Sequence, residues 1–424
     1  MELSVVLPAL NEADNLAKLL PQLHQTLSAL SSQCEVIVVD NHSQDATADI
    51  CAAAGAILIH QTEPGFGGAL RAGFKQAAGE YVLTMDADLS HLPDFVPAMW
   101  AKRTDADLVI ASRYVPGGSA DMPQYRYWLS VILNQIYTRI LSLPIRDISS
   151  GFRLYRSSAL RELELHSSDF DAQEEIVIEM YARARRIIEV PFRFSPRNEG
   201  RSKVRLLPFG ISYLKTLYRM WKLRNSIASA DYDARAFDSI VPLQRYWQRR
   251  RHSIVLSMLD PSRPCLDVGC GSSHILEGLH PDSIGLDVQM SKLRYARRYE
   301  RPVANASAFA LPFADGTFDQ LLCSQVIEHL ALNSQMFVEM RRVLKTNGRL
   351  VIGTPDYGGR AWPTLERLYR VFAPGGYADE HITHYTLEGL TRTIEQLGFK
   401  RQRVASIWGA EVIVCFERAG HNGE

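Results

Sequence analysis

The sequence lacks any excess of charge: Lys and Arg number 47 and so do Asp and Glu, so a polyanion site must come from local clustering. Nucleic acid is not an expected partner. Cysteine is scarce. Its six residues, Cys34, Cys51, Cys265, Cys270, Cys323 and Cys415, show no paired spacing, which argues against a disulfide framework or a zinc site and fits a reducing cytoplasm. Long uncharged apolar runs are missing too, so no stretch is expected to span a bilayer. No basic leader with a cleavage site precedes the first apolar run, and no signal peptide is expected. Internal repeats and low-complexity segments are absent. What remains is ordinary globular composition, 46% hydrophobic and 22% charged, over 424 residues. That length exceeds what one core usually supports, so two domains are expected.

Apolar, β-branched runs alternate with amphipathic helical stretches at both ends of the chain. "LSVVLPAL", "CEVIVVD", "GAILIH", "EYVLTMDAD" and "DLVIASR" read as strands, with helices such as "EADNLAKLLPQLHQTLSAL" between them. Such alternation predicts α/β folds with mostly parallel sheets covered on both faces. The pattern restarts at "PCLDVGCG", "SIGLDV", "FDQLLCSQ" and "GRLVIGTP". The expected division is a first domain over 1–225, a small and polar junction over 226–239, and a second domain over 240–424.

Ligands of open parallel sheets sit beyond the carboxyl ends of the strands. Asp86 and Asp88, in "LTMDADLSHLPD", fall at such an end, as does Asp40 in "VIVVDNHSQDAT". Two carboxylates one residue apart repel each other unless a cation lies between them. Mg²⁺ or Mn²⁺ takes oxygen ligands and commonly keeps substrate phosphates in its shell. Taken alone, the pair also reads as a solvated loop or a helix N-cap.

The surrounding text is specific. "VVLPALNEADNL", "VIVVDNHSQDAT", "GFGGALRAGFKQAAGEYVLTMDADLSHLP", "DLVIASRY", "DISSGFRLYR" and "EVPFRFSPRNEGRSK" occur in order over residues 1–225. Together they resemble the family-2 glycosyltransferases, most closely the dolichol-phosphate mannosyltransferase branch. The resemblance implies a GT-A fold and a nucleoside-diphosphate sugar as donor. It implies that Pro8, Asn11, Glu12 and Asp40 line the nucleoside pocket and that Asp86 and Asp88 carry the metal–diphosphate. Arg113, Arg153, Arg197 and Lys203 would meet donor or acceptor phosphates, and Glu175 matches the acidic position after the arginine motif. Asn41 departs from the family's usual "Asp-Asp/Gly-Ser" and removes a charge near the base, so the nucleotide stays open.

A polyprenyl-phosphate acceptor agrees with this branch. A phosphate monoester has its second pKa at about 6 and arrives largely dianionic, so it needs no base. Catalysis then reduces to positioning two phosphates and neutralising charge. From Arg201 to Ala230 there is no acid. The stretch 207–224 places Leu207, Ile211, Leu214, Tyr218 and Trp221 at helical spacing beside Lys215, Arg219 and Lys222, which reads as a peripheral contact with the inner face of the membrane or as a helix packed on its own sheet.

In the second half, "CLDVGCGSS" follows a strand and precedes a helix, and Asp287 stands 20 residues after Asp267. Glycines there let backbone N–H groups approach a ligand, and an acid ending the next strand can bind ribose hydroxyls; a dinucleotide fits this pair of features as well. "ASAFALPFADGTFDQLLCSQVIEHL", "RRVLKTNGRLVIGTP" and "HITHYTLEGLTRTIEQLGF" look like class I S-adenosylmethionine-dependent methyltransferases, with a Rossmann-like fold. That resemblance implies that Asp267, Gly269 and Gly271 embrace the methionine part, Asp287 the ribose, and Ser307, in place of the usual acid, the adenine. His329, His381 and His384 are candidate bases for an unidentified methyl acceptor, with Glu328 to orient one. The expectation is a bifunctional cytoplasmic transferase. Two others stay open: a glycan hydroxyl as sugar acceptor, or a first domain that only binds lipid phosphate.

Overall fold

The structure, a computed structural model, describes residues 1–31, 33–194, 206–372 and 381–420. The chain forms two compact units, one of Met1–Tyr181 with Arg185–Trp221 and one of Ala182–Ala184 with Lys222–Glu424.

The first unit is built on a seven-stranded sheet. Its strands are β1 (Leu3–Ala9), β2 (Cys34–Asp40), β3 (Ile57–His60), β4 (Tyr81–Thr84), β5 (Leu108–Ser112), β7 (Arg153–Arg156) and β8 (Ile187–Pro191); β6 (Ser119–Ala120) and β9 (Arg193–Phe194) pair apart from it. The spatial order is β3-β2-β1-β4-β7-β5-β8, with β7 antiparallel to both its neighbours. Burial of Leu3, Val5, Leu7, Val36 and Val38 on one face is matched by the helix Ala13–Leu30, which turns Leu16, Leu19, Leu20, Leu23 and Leu27 inward. Their spacing of three and four residues is what puts them on one stripe.

The second unit holds another seven-stranded sheet, from β10 (Cys265–Val268), β11 (Ile284–Asp287), β12 (Val303–Asn305), β13 (Phe318–Ser324), β14 (Leu344–Pro355), β15 (Phe399–Ile407) and β16 (Glu411–Arg418). The order is β12-β11-β10-β13-β14-β16-β15, parallel except for β16, which runs against β14 and β15. Successive residues feed opposite faces. Leu321, Leu350, Ile352, Val414 and Phe416 join one core, and Leu322, Val351, Ile413 and Cys415 join the other. Both faces are therefore covered, as near-continuous apolar strands require.

Both sheets are doubly wound α/β sheets whose strand order reverses at an inner strand, between β1 and β4 in the first and between β10 and β13 in the second. These crevices are where such sheets take ligands. Residues 226–239, expected as a junction, carry the short helix Tyr232–Phe237, with Tyr232, Ala234 and Ala236 buried. No helix among the described residues is long and apolar enough to cross a membrane.

Candidate functional sites

At the first crevice the loops after β1 and β2 are tied together. Asp40, ending β2, is buried and accepts the Ser43 N–H on both oxygens at 3.2 Å. The Ser43 hydroxyl in turn accepts the Asn11 N–H at 2.8 Å, and the Asn11 side-chain oxygen accepts the Gln44 N–H at 2.8 Å. Asn11 sits at φ 52, a left-handed position that Asn tolerates better than most residues. Glu12 donates its N–H to the Thr47 hydroxyl at 3.2 Å, and Pro8 lies in β1 opposite Val39. These four expected residues thus form one rim over the ends of β1 and β2.

Asp86 and Asp88 follow β4 at the reversal point. Asp88 is buried, and its Oδ1 accepts from the Ser90 N–H at 3.1 Å and hydroxyl at 2.6 Å. The Asp86 side chain is 35% exposed. Its backbone N–H donates to Nδ1 of His91 at 2.9 Å, while Nε2 of the same ring lies 3.8 Å from Oδ2 of Asp86. His91 is buried, stacked on Phe152 with Phe192 and Phe194 at its edges. Burial pushes its pKa down, with Asp86 and Asp88 pulling the other way. A neutral ring with an acceptor at Nδ1 is what the Asp86 N–H requires. Sequence reasoning passed over His91, although it stands five residues after Asp86.

The described arginines are held by neighbouring groups of the protein. Arg113 follows β5, and its guanidinium grips Asp147 through Nε at 2.8 Å and Nη2 at 2.7 Å, with Ser149 at 2.8 Å. Burial opposes its charge, but Asp147 outweighs that and raises its pKa. Arg153 is fully buried in β7, donating to the carbonyls of Gln173 at 2.6 Å and Ile148 at 2.5 Å. A direct phosphate contact does not fit that placement: Arg153 braces the loops on either side of its strand. Glu175 accepts the N–H groups of His166 and Ser167 and lies 2.7 Å from Arg219. Arg197 and Lys203 lie outside the described residues.

At the second crevice, "DVGCG" makes the turn after β10. Gly269, at φ +73, donates its N–H to the Leu286 carbonyl at 2.7 Å, and a Cβ there would come within 2.3 Å of Val326. Gly271 sits at φ +55, in the left-handed region that favours glycine, and a Cβ there would come within 2.7 Å of the Asp233 carboxylate. A cavity opens over this turn, lined by Asp233, Asp267, Gly269, Gly271, Lys292 and His329 among others. Asp267 is buried, and its pKa is pushed up to about 7 by burial and then by Asp287 and Asp233. Asp287 ends β11 and accepts the N–H groups of Gly271 at 3.1 Å and Gln289 at 2.8 Å. Ser307 follows β12 and accepts the Phe309 N–H at 3.2 Å. Asp287 and Ser307 line the next strands outward rather than the cavity itself. The acids and the serine therefore follow one another along the carboxyl edge of β10, β11 and β12. Asp233, which the sequence reading left inside the junction, accepts from the Ser272 N–H and hydroxyl and lies 3.7 Å from Lys292.

Farther along that edge, Tyr357 donates to Glu366 at 2.9 Å and lies 2.9 Å from Nδ1 of His381, whereas His384 stacks flat on the Tyr357 ring at 4.0 Å.

Two helices of the first unit present apolar side chains outward. In Gln124–Ile140, Tyr125, Trp128, Leu129, Ile132, Ile136 and Ile140 are exposed. In Leu206–Arg224, Ile211, Leu214 and Tyr218 are exposed while Tyr213, Thr216 and Met220 are buried. Tyr137 donates its hydroxyl to the Tyr213 carbonyl and so joins the two helices.

The glycosyl transferase family 2 profile matches residues 4–164, and a methyltransferase-domain profile matches residues 266–352. A dolichol-phosphate mannosyltransferase of Pyrococcus furiosus is 34% identical over 238 residues, 54% of this chain and 66% of that protein. An undecaprenyl-phosphate mannosyltransferase of Micrococcus luteus is 34% identical over 218 residues, 48% of this chain and 88% of that protein. Among solved structures, a glucosyl-3-phosphoglycerate synthase of Mycobacterium tuberculosis aligns with a TM-score of 0.42 at 21% identity, over 52% of this chain and 79% of that one.

Proposed function

The chain belongs to glycosyl transferase family 2 and carries a methyltransferase domain behind that half, and we propose that it moves a sugar from a nucleoside-diphosphate donor to a polyprenyl phosphate. The observation that carries this reading is the position of Asp86 and Asp88, beside the Asp40 rim where the strand order reverses. Their all-oxygen donor set, completed by diphosphate oxygens, fits Mg²⁺ or Mn²⁺, which would supply charge neutralisation to the leaving diphosphate. Ser90 holds Asp88, and His91 holds Asp86 through its backbone, so the pair is oriented before a ligand arrives. Pro8, Asn11, Glu12 and Asp40 take the nucleoside. Arg113, held in place by Asp147, would meet a phosphate together with Arg197 and Lys203. A dianionic lipid phosphate attacks without a general base.

The second unit takes S-adenosylmethionine: Asp267 with Gly269 and Gly271 for the methionine part, Asp287 for the ribose, Ser307 for the adenine. Asp267 is a buried acid in need of a cation, and the ligand's ammonium group is one. The exposed apolar faces of Gln124–Ile140 and Leu206–Arg224 support peripheral attachment to the cytoplasmic face of a membrane, where the lipid acceptor resides. The test is incubation with a panel of nucleotide sugars, Mn²⁺ and polyprenyl phosphate. Wild-type protein is expected to give lipid-linked sugar. Asp88→Asn, which keeps shape and removes charge, is expected to give none while binding S-adenosylmethionine as before; transfer by that variant at saturating metal rejects the assignment.

A further inference from the structure

The turn that follows β13 places Glu328 and His329 next to His381, which lies far along the chain. A carboxylate oxygen of Glu328 and ring nitrogens of His329 and His381 all lie within 4.8 Å of one another. We propose that these three side chains hold a divalent transition-metal ion at the mouth of the methyl-donor cavity.

The arrangement is built for ligation in three respects. First, the backbone is fixed: the Glu328 carbonyl accepts the N–H groups of Ile382 at 2.8 Å and Thr383 at 3.0 Å, so the segment after His381 is stitched to the turn that carries the other two ligands. Second, His381 is oriented by a relay. Tyr357 spends its one hydroxyl proton on Glu366, so Nδ1 of His381 must be the donor toward the Tyr357 oxygen, and the lone pair is left on Nε2. Metal-bound histidines commonly have their second nitrogen held in this way. Third, Glu328 is fully buried; Thr354 reaches its Oε2 at 3.2 Å, but its Oε1 meets no hydrogen-bond donor. A buried carboxylate oxygen without a donor calls for an ion.

Two imidazoles and one carboxylate suit Zn²⁺, Mn²⁺, Fe²⁺ or Co²⁺ and leave positions open for water or substrate oxygen. His329 also lines the cavity over Gly269 and Gly271. An acceptor hydroxyl on such an ion would be acidified beside the methyl donor. Its proton passes to solvent water, its lone pair forms the O–CH₃ bond, and the C–S pair stays with sulfur as a neutral thioether. This role rests on the reading of the cavity as the methyl-donor site; the metal site itself does not.

The test uses untagged full-length chain carrying Asp86→Asn and Asp88→Asn, so that the first unit contributes no carboxylate pair. Titration with Co²⁺ is expected to saturate at one ion per chain with visible d–d absorption. Glu328→Gln and His381→Ala should each lower Co²⁺ affinity about tenfold to hundredfold or abolish it, and His384→Ala should leave it unchanged. Tyr357→Phe, which keeps all three ligands, should weaken Co²⁺ binding without removing the absorption. Far- and near-UV circular dichroism on the same samples reports whether each variant is folded, and S-adenosylmethionine titrations report separately on the cavity. Absence of Co²⁺ absorption, or an unchanged titration in a folded His381→Ala, overturns the proposal. Co²⁺ binding by a chain that ignores S-adenosylmethionine upholds the metal site and rejects the cavity's reading instead.

Discussion

At Asp267 the proposed ligand and a proton would compete for one carboxyl group. Its folded-state pKa of about 7 lies above the ordinary 3.8, so it stabilises the unliganded fold fully below that lower value and loses this contribution as pH rises through 7. A cationic ligand needs the ionised form. S-adenosylmethionine affinity should therefore fall about tenfold for each pH unit below 7 and level off between 7 and about 8, above which the ligand's own ammonium group loses its proton. Calorimetry across that range checks this, and Asp267→Asn should give a weak, flat profile; a flat wild-type profile would place the cation elsewhere. At the neighbouring strand, Asp287→Ala should weaken the same ligand roughly tenfold to hundredfold, since charge-assisted hydrogen bonds are worth about 1.5–3 kcal/mol. An unchanged titration would move the ribose site, and a preference for NAD would favour a dinucleotide. Residue roles were the least legible part of the sequence. Arg153 sits in a motif that reads as a phosphate grip. Yet β7 lies between β4 and β5 in a sheet covered on both faces, and no alternation of residues tells which face takes the side chain.

At the scale of elements, strands and crevices were readable because apolar runs bounded by Asp and Gly mark the carboxyl ends of parallel strands. The helix Leu206–Arg224 was readable in position and not in sense. It carries two apolar faces, and sequence spacing cannot rank Ile211, Leu214 and Tyr218 against Tyr213 and Met220; packing leaves the first set outside. Arg219, expected among its surface cations, is instead drawn to buried Glu175. Asp233 went unread because a six-residue helix gives too short a period to detect. These placements sharpen the membrane prediction. Leu129→Asp with Leu214→Asp alters exposed positions, so stability should change by only about 0.5 kcal/mol, while sedimentation with anionic liposomes should be lost. Lys215→Gln with Lys222→Gln should weaken the salt-sensitive part of that binding. Arg219→Gln should act differently, destabilising the first unit by about 1–3 kcal/mol through Glu175. Wild-type protein that ignores anionic liposomes at low salt would assign the two apolar faces to a protein partner.

For the molecule as a whole, balanced charge gives no long-range pull toward a polyanion, so selectivity has to reside in the two crevices. The central claim is that the first of them joins a sugar to a lipid phosphate. The choice of acceptor tests it most directly. With one active nucleotide sugar and Mn²⁺, the chain is offered polyprenyl phosphate, the corresponding polyprenol and a free oligosaccharide, and products are identified by mass spectrometry. The account predicts a glycosyl phosphate formed from polyprenyl phosphate alone, because a dianionic phosphate attacks without a general base whereas a neutral hydroxyl must first lose its proton. Transfer to the polyprenol or the oligosaccharide, with polyprenyl phosphate left unreacted, would contradict it.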